Sequence, residues 1–218
     1  MAVYCIVYLD ARLTTDHQRR SIMSQIAEVI ESSTRQFVAE VYEDDDAPSF
    51  GTWVRVEGRD GREMYGLVSH VEIASYDGNR QPVALGASEE DRKREWPMVQ
   101  ELLRTTVRAQ VLAYRDDTGG VRQTLPPQPP GIHAFVSPCT QDLVRELAAP
   151  YDFLRTLVTQ ANDDIPTDDL LVSVLQHVYD ANGAETGGRE HLVAAGRVLG
   201  RLLGDDHERL QSILRRVL

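Results

Sequence analysis

Apolar residues come in short runs through the first part of the chain and at helical spacing through the last. Phe37-Val-Ala-Glu-Val-Tyr42, Thr52-Trp-Val-Arg-Val-Glu57 and Met64 to Ile73 (MYGLVSHVEI) are β-branched and aromatic runs that predict strands, as does Ala2 to Leu9 (AVYCIVYL). In the second run Trp53, Arg55 and Glu57 share one face, and Val54 and Val56 the other. Gly58-Arg-Asp-Gly61 predicts a hairpin turn, because Asp-Gly supplies the positive φ that tight turns need. Gly66 inside the return strand predicts a bulge or barrel corner. Ile26 to Glu31 fits a strand and, together with Ile22, also a helical stripe. Thr14 to Ser24 is polar and fits a short helix, and Asp44 to Pro48 reads as a loop. Several short strands at this spacing suggest a small barrel over 26–85, with Val54, Val56, Leu67 and Val71 pointing inward.

Beyond the strand runs the pattern is mixed. Ser88 is placed to cap a helix through Glu95, and Pro97 restarts a helix to about Leu103. Thr105 to Tyr114 and Val121 to Leu125 read as strands around a turn at Asp116 to Gly120. Pro126-Pro-Gln-Pro-Pro130 is a stiff extended spacer. From Thr140 the period is helical. Thr140 caps a helix through Leu147, Tyr151 to Ala161 follows, and Thr167 caps Asp168 to Ala181, which Gly183 stops. Leu170, Leu171, Val174, Leu175 and Val178 form one stripe of that helix. Gly188 to Leu203 and Asp205 to Leu218 complete a bundle. The fold class is α+β: a small N-terminal β-barrel followed by a C-terminal α-helical bundle. The expected divisions are an N-terminal extension (1–22), the barrel (23–87), a mixed connector with strands and the Pro-rich segment (88–139), and the bundle (140–218).

A length of 218 residues with 42% hydrophobic and 26% charged residues is enough for a real core. No apolar run reaches the ~20 residues that span a bilayer, and Met1 to Leu9 lacks the basic start of a signal peptide. A cytoplasmic protein with no membrane contact is the expectation. The net charge of −11 disfavours direct wrapping of DNA, which needs clustered cations. From Met23 to Leu85 there are 12 acids against 5 arginines, whereas 86–140 balances at 7 and 7, so the barrel is the acidic part.

Catalytic patterns are missing. Lys93, the sole lysine, sits in Asp-Arg-Lys-Arg-Glu with no glycine at P-loop range before it, so no P-loop exists and no ATP binding or hydrolysis is expected. The acidic groups Asp44-Asp45-Asp46, Asp163-Asp164, Asp168-Asp169 and Asp205-Asp206 read as surface or helix-start residues. The six histidines show no HExxH spacing; His191 and His207 are the one pair placed to approach across the last helical hairpin. Cys5 and Cys139 make neither a disulfide framework nor a zinc site. Cys139 stands before a helix start, where a thiol pKa can fall, and His133 is six residues upstream. No catalytic, cofactor-binding or metal-binding residue is assigned, and the chain is not expected to be an enzyme.

One resemblance stands out. Ala27-Glu-Val-Ile-Glu-Ser32, Phe37-Val-Ala-Glu40, Phe50-Gly-Thr-Trp-Val-Arg-Val56, Met64-Tyr-Gly-Leu-Val68 and Arg80-Gln-Pro-Val-Ala-Leu85 follow one another in an order that resembles the HAS-barrel, the small β-barrel of HerA-type DNA translocases and rotary ATP synthase subunits. The remainder, with Leu102-Leu-Arg-Thr105 and Leu125 to His133, resembles stand-alone bacterial proteins that carry this barrel without the ATPase domain. The resemblance resolves Ile26 to Glu31 as strand. It begins beside Met23, a second candidate start, which leaves residues 1–22 as an extension able to add a strand to a sheet edge.

In HerA-type machines the barrel crowns a ring and receives the NurA nuclease. The resemblance therefore implies a non-catalytic accessory or assembly subunit of a HerA/NurA-like DNA end-processing, repair or defence machinery. Its partners would be a HerA-type ATPase and/or a NurA-type nuclease, in a ring-shaped assembly that touches DNA only indirectly. The acidic loop Asp44, Asp45 and Asp46, the corner Phe50-Gly51, and Arg59 in the Gly58–Gly61 turn are the expected docking residues. Two other readings are a metal-dependent nuclease using the acidic clusters and an adaptor for another ring ATPase.

Overall fold

The computed structural model describes residues 25–42, 45–77, 82–95, 102–160, 165–183 and 187–217. The expected strand Ala2 to Leu9, the helix Thr14 to Ser24, the Pro97 restart and the Asp163-Asp164 pair lie outside the described residues.

Seven strands follow in order: β1 (Ala27–Ser32), β2 (Gln36–Val41), β3 (Trp53–Glu57), β4 (Glu63–Ser75), β5 (Leu103–Arg115), β6 (Val121–Arg122) and β7 (Phe135–Pro138). They run β2-β1-β7-β3-β4-β5, and β5 pairs back onto β2, so six strands close into a barrel; β6 is a short extension on β5. All the pairings are antiparallel. The β1–β2 turn is tightened by Ser33, whose N–H and hydroxyl both donate to the Gln36 carbonyl.

Short apolar side chains fill the interior. Val29, Phe37, Val54, Met64, Val107 and Val136 are buried in one cluster there. Gly66 makes room for it: a Cβ there would lie 3.1 Å from the Phe37 ring and 3.2 Å from Ala109 Cβ. As the sequence predicts, the β4–β5 register shifts at Tyr65/Gly66, and it shifts again at Val68/His70.

The barrel expected over 26–85 draws its last two staves from further along. β5 and β7 belong to the stretch read as connector, and without them β1, β2, β3 and β4 would each have an open edge. The Arg80–Leu85 piece is no strand over its described residues 82–85, which are exposed coil. Leu103 opens β5 rather than ending a helix, and the Val121–Leu125 run is a strand only to Arg122. Leu67 points out of the barrel, because Met64, Gly66 and Val68 take the inward positions of β4. Val71 lies opposite interior Val107, yet it is 37% exposed, because β3 does not reach that far along β4.

Six helices are described: α1 (Glu89–Glu95), α2 (Gln141–Ala148), α3 (Phe153–Thr159), α4 (Thr167–Ala181), α5 (Gly188–Leu203) and α6 (His207–Val217). The last five form the bundle. Ser88 caps α1, accepting from the Asp91 N–H at 3.1 Å, and Thr140 caps α2, accepting from the Leu143 N–H at 3.4 Å. Thr167 is not a cap: it is the first residue of α4, and its hydroxyl donates to the Ile165 carbonyl, with Pro166 at the cap position. Gly183 follows α4 at φ +77°, as a helix stop requires.

The bundle packs on the outer wall of the barrel. Trp53, Tyr65, Leu67, Leu112 and Ala113 share one buried core with Leu147, Phe153, Leu157 and the whole α4 stripe. Each of these large apolar side chains contributes about 1.5–3 kcal/mol by burial. Trp53 meets Phe153 edge-on, with ring centroids 5.2 Å apart. The alternation in β3 therefore serves two cores: Val54 and Val56 the barrel, Trp53 the bundle.

Candidate functional site

The expected docking residues fall into two separate places. Glu57 pairs with Glu63 at one end of β3, while Val68 exchanges backbone bonds with Gly51 and Thr52 beyond the other end. Asp45, Asp46 and the Phe50-Gly51 corner therefore sit at one mouth of the barrel, and the Gly58–Gly61 turn with Arg59 at the opposite mouth.

At the first mouth, Asp44 lies outside the described residues. Asp45 and Asp46 are exposed, and the Asp45 N–H donates to the Tyr42 carbonyl at 3.0 Å. The corner is not free. Phe50 is half-buried against the bundle core, and Gly51 is buried. The Ser173 hydroxyl of α4 donates to the Phe50 carbonyl at 2.9 Å, and His177 Nδ1–H donates to the Gly51 carbonyl at 2.7 Å. Phe50-Gly51 thus joins the barrel to α4, and Asp45 and Asp46 are the acids of that stretch that stand exposed.

At the second mouth Arg59 is exposed, and its N–H reaches the Pro129 carbonyl at 3.4 Å. Its neighbours are already paired. Arg62 bridges Asp60 at 2.7 Å and Asp117 at 3.0 Å, which lowers the Asp117 carboxyl pKa. Asp116 accepts from the Thr118 hydroxyl, Arg122 Nε and the backbone N–H groups of Thr118 and Gly120. These donors, the Thr118 hydroxyl foremost, hold its carboxyl far below the usual carboxylate range.

Among the described residues no group of three or more His, Cys, Asp or Glu is placed to hold a metal ion. Asp168 pairs with Arg209 at 2.7 Å, Asp169 pairs with Arg216, and Asp206 Oδ1 accepts from the Arg209 N–H. Cys139 behaves oppositely to the expectation from its place before α2. Burial pushes its thiol up to about 12, Arg55 opposing weakly. His133 is turned to Glu28, with Nδ1 2.5 Å from Oε1. His191 contacts the Tyr151 hydroxyl rather than His207.

Two polar residues that sequence reading missed organise the seam. Gln123 Nε2 donates to the carbonyls of Leu147 and Ala149, and its Oε1 accepts from the Phe153 N–H. One side chain thus joins the end of α2 to the start of α3. Arg115 reaches the Tyr65 hydroxyl, the Gly119 carbonyl and both Glu146 oxygens. Neither has a local sequence signal, since the partners lie 24 or more residues away in most cases. A cleft of about 290 Å³ opens at the seam beside Thr52, Trp53, Cys139, His177 and Asp180. Another of about 490 Å³ lies along β3 and β7 beside Arg55, Glu63, His133 and Phe135.

The described residues thus form a closed six-stranded barrel with a helical bundle packed on its wall. Residues 26–117 match the family model of the HAS barrel domain, and β1 to β5 lie within the match. The chain therefore carries a HAS-barrel domain, as its strand order resembles. A search of the curated proteins found none that matches the chain. No helix among the described residues is long and apolar enough to cross a membrane.

Proposed function

We propose that this chain is a non-catalytic accessory or assembly subunit whose barrel docks onto a HerA-type ring translocase or its NurA-type nuclease partner. A protein-interaction or assembly role is what a HAS-barrel domain supports, and the match at 26–117 carries the reading. The bacterial cytoplasm and DNA end-processing are the proposed setting. The docking element is the mouth that bears Asp45 and Asp46. Phe50 and Gly51 fix that loop to α4, so the acids are presented from a rigid base. Exposed acids on a net acidic barrel steer a basic partner surface and set its salt dependence. DNA contact is indirect in this scheme, since phosphate binding needs clustered cations.

The test is co-purification of the full chain with candidate ring ATPases and nucleases, before and after changing Asp44, Asp45 and Asp46 together to Arg. Slower, less salt-sensitive association with an unchanged circular dichroism spectrum supports the proposal. Association unaffected by the triple change removes this mouth as the docking site.

A further inference from the structure

The outer wall of the barrel carries two polar side chains that the fold shuts in without a partner. Val107, Ala109 and Val111 take the inward positions of β5, so Arg108 and Gln110 stand on its outer face, between β2 and β4. Gln110 is only 6% exposed. Arg108 is half-buried, and its Nε is closed off from solvent with no hydrogen-bond partner. Among the described residues nothing bonds the Gln110 amide or pairs with the Arg108 guanidinium. A buried polar group left unpaired destabilises a fold, and a charged one does so more. The carboxylates of this wall are engaged elsewhere: Glu40 lies 3.8 Å from Arg104, and Glu72 lies 3.9 Å from His70.

Gln110 also lines a cleft. A space of about 490 Å³ opens between the β1–β2 turn, β5 and the end of α3, and Arg35, Gln36 and Gln160 face it together with Gln110. The Ser33 and Thr159 hydroxyls at its side already donate to the carbonyls of Gln36 and Arg155. No carboxylate lines the cleft among the described residues, although the chain carries a net charge of −11. What remains free is one guanidinium and three primary amides, with the Arg108 guanidinium two residues along β5. Arginine and amide N–H groups gathered without acids are donors for an oxyanion. A monoanionic carboxylate would leave one of the two guanidinium groups uncompensated, whereas a phosphate takes both charges.

We propose that this cleft binds a phosphate group, free or as a small organic ester, through Arg35 and Arg108 with the Gln110 amide as an uncharged donor. The bound group supplies the acceptors that Arg108 and Gln110 lack. The site is independent of the docking mouth at Asp45 and Asp46.

Titration calorimetry of the full chain at constant ionic strength, with inorganic phosphate and separately with glycerol 3-phosphate, tests this. Saturable binding is expected. Arg35→Ala and Arg108→Gln should each weaken it at least about tenfold. Arg201→Ala, on an exposed residue of α5 outside the cleft, should leave it unchanged. If Arg108→Gln does not fold, exposed Arg35 carries the test alone. Tighter binding of the ester assigns the cleft to an organic phosphate, and equal binding assigns it to the free ion. Absence of saturable binding for both probes overturns the proposal, as does a loss in Arg35→Ala no larger than in Arg201→Ala. Binding that appears only after Asp163→Asn and Asp164→Asn also overturns it, because the acids that follow Gln160 in the chain then fill the cleft.

Discussion

Ser173 stands directly over Gly51: a Cβ built on that glycine would fall 2.1 Å from the serine Oγ. Gly51 also adopts φ +79°, a region that costs other residues strain. The corner is therefore closed twice, by backbone and by packing. Gly51→Ala is expected to destabilise the protein by about 2–4 kcal/mol. Gly61 has nearly the same backbone, φ +78°, with nothing within 4 Å of its missing Cβ. Gly61→Ala should cost only about 1–2 kcal/mol. Chemical denaturation of the two variants separates packing from strain, and equal losses would show that Ser173 is not a constraint.

Gln123 spans two helices with one amide, and the polarity of each end matters. Its nitrogen donates at 2.8 and 2.9 Å, and its oxygen accepts at 2.9 Å. Gln123→Ala leaves three backbone groups unpaired and should cost about 1–3 kcal/mol. Gln123→Glu keeps the shape but sets a carboxylate against two carbonyls. It should be at least as destabilising above pH 5 and recover partly on acidification, when one oxygen becomes a donor. Thermal melts at two pH values check this; a Glu variant as stable as the parent at neutral pH would contradict the clamp.

Asp116 gives the molecule an acid-sensitive turn. Its carboxyl pKa is depressed in the folded chain, so its stabilisation is present above the unfolded value of about 4 and is lost as pH falls through the folded value. The group lies at the surface, which keeps the effect small. Asp116→Asn cannot titrate. Between about pH 4 and pH 2 the parent should lose melting temperature more steeply than the variant. Parallel acid limbs in calorimetry would count against the turn as the source.

Cys139 offers a sharper chemical test. A thiol raised to about 12 by burial is almost fully protonated at pH 8. Alkylation at that pH should therefore be slow in the native protein and rapid in denaturant, with mass spectrometry identifying the site. Fast native labelling of Cys139 would restore the idea of an activated thiol.

These residues also show how far the chain could be read. β2 and β3 announce themselves within a few residues, β4 does so as an apolar run whose Gly66 marks its own bulge, and β1, which also fits a helical stripe, is resolved only by the resemblance. Membership of β5 and β7 in the barrel does not announce itself, because their partners lie far along the chain. Val136 meets Ala27 on one side and Val56 on the other, and nothing near Val136 encodes that. Leu67 was legible as apolar but not as outward-facing: β4 is apolar on both faces, one for the barrel and one for the bundle. The acidic loop was legible as exposed at Asp45 and Asp46. The burial of the neighbouring Phe50-Gly51 corner was not, because Ser173 and His177 come more than 120 residues later.

Barrel and bundle should unfold as one unit, since Trp53 belongs to a strand of the first and to the core of the second. Its ring is 1% exposed, and it shares that core with Leu67 and Leu112 from the barrel wall and with Phe153 and Leu171 from the helices. Replacing it removes atoms from the shared interface without emptying the barrel interior, where Val54 lies. Trp53→Ala is expected to cost about 3–5 kcal/mol and Val54→Ala about 1–3 kcal/mol. Both should shift a single transition. In a Trp96→Phe background the fluorescence of Trp53 reports the interface, while far-ultraviolet circular dichroism is dominated by the helices. Coincident denaturation curves from the two probes are the expected result. A bundle that melts at a lower denaturant concentration than the fluorescence change would mean that the wall contact through Trp53 does not couple the two parts.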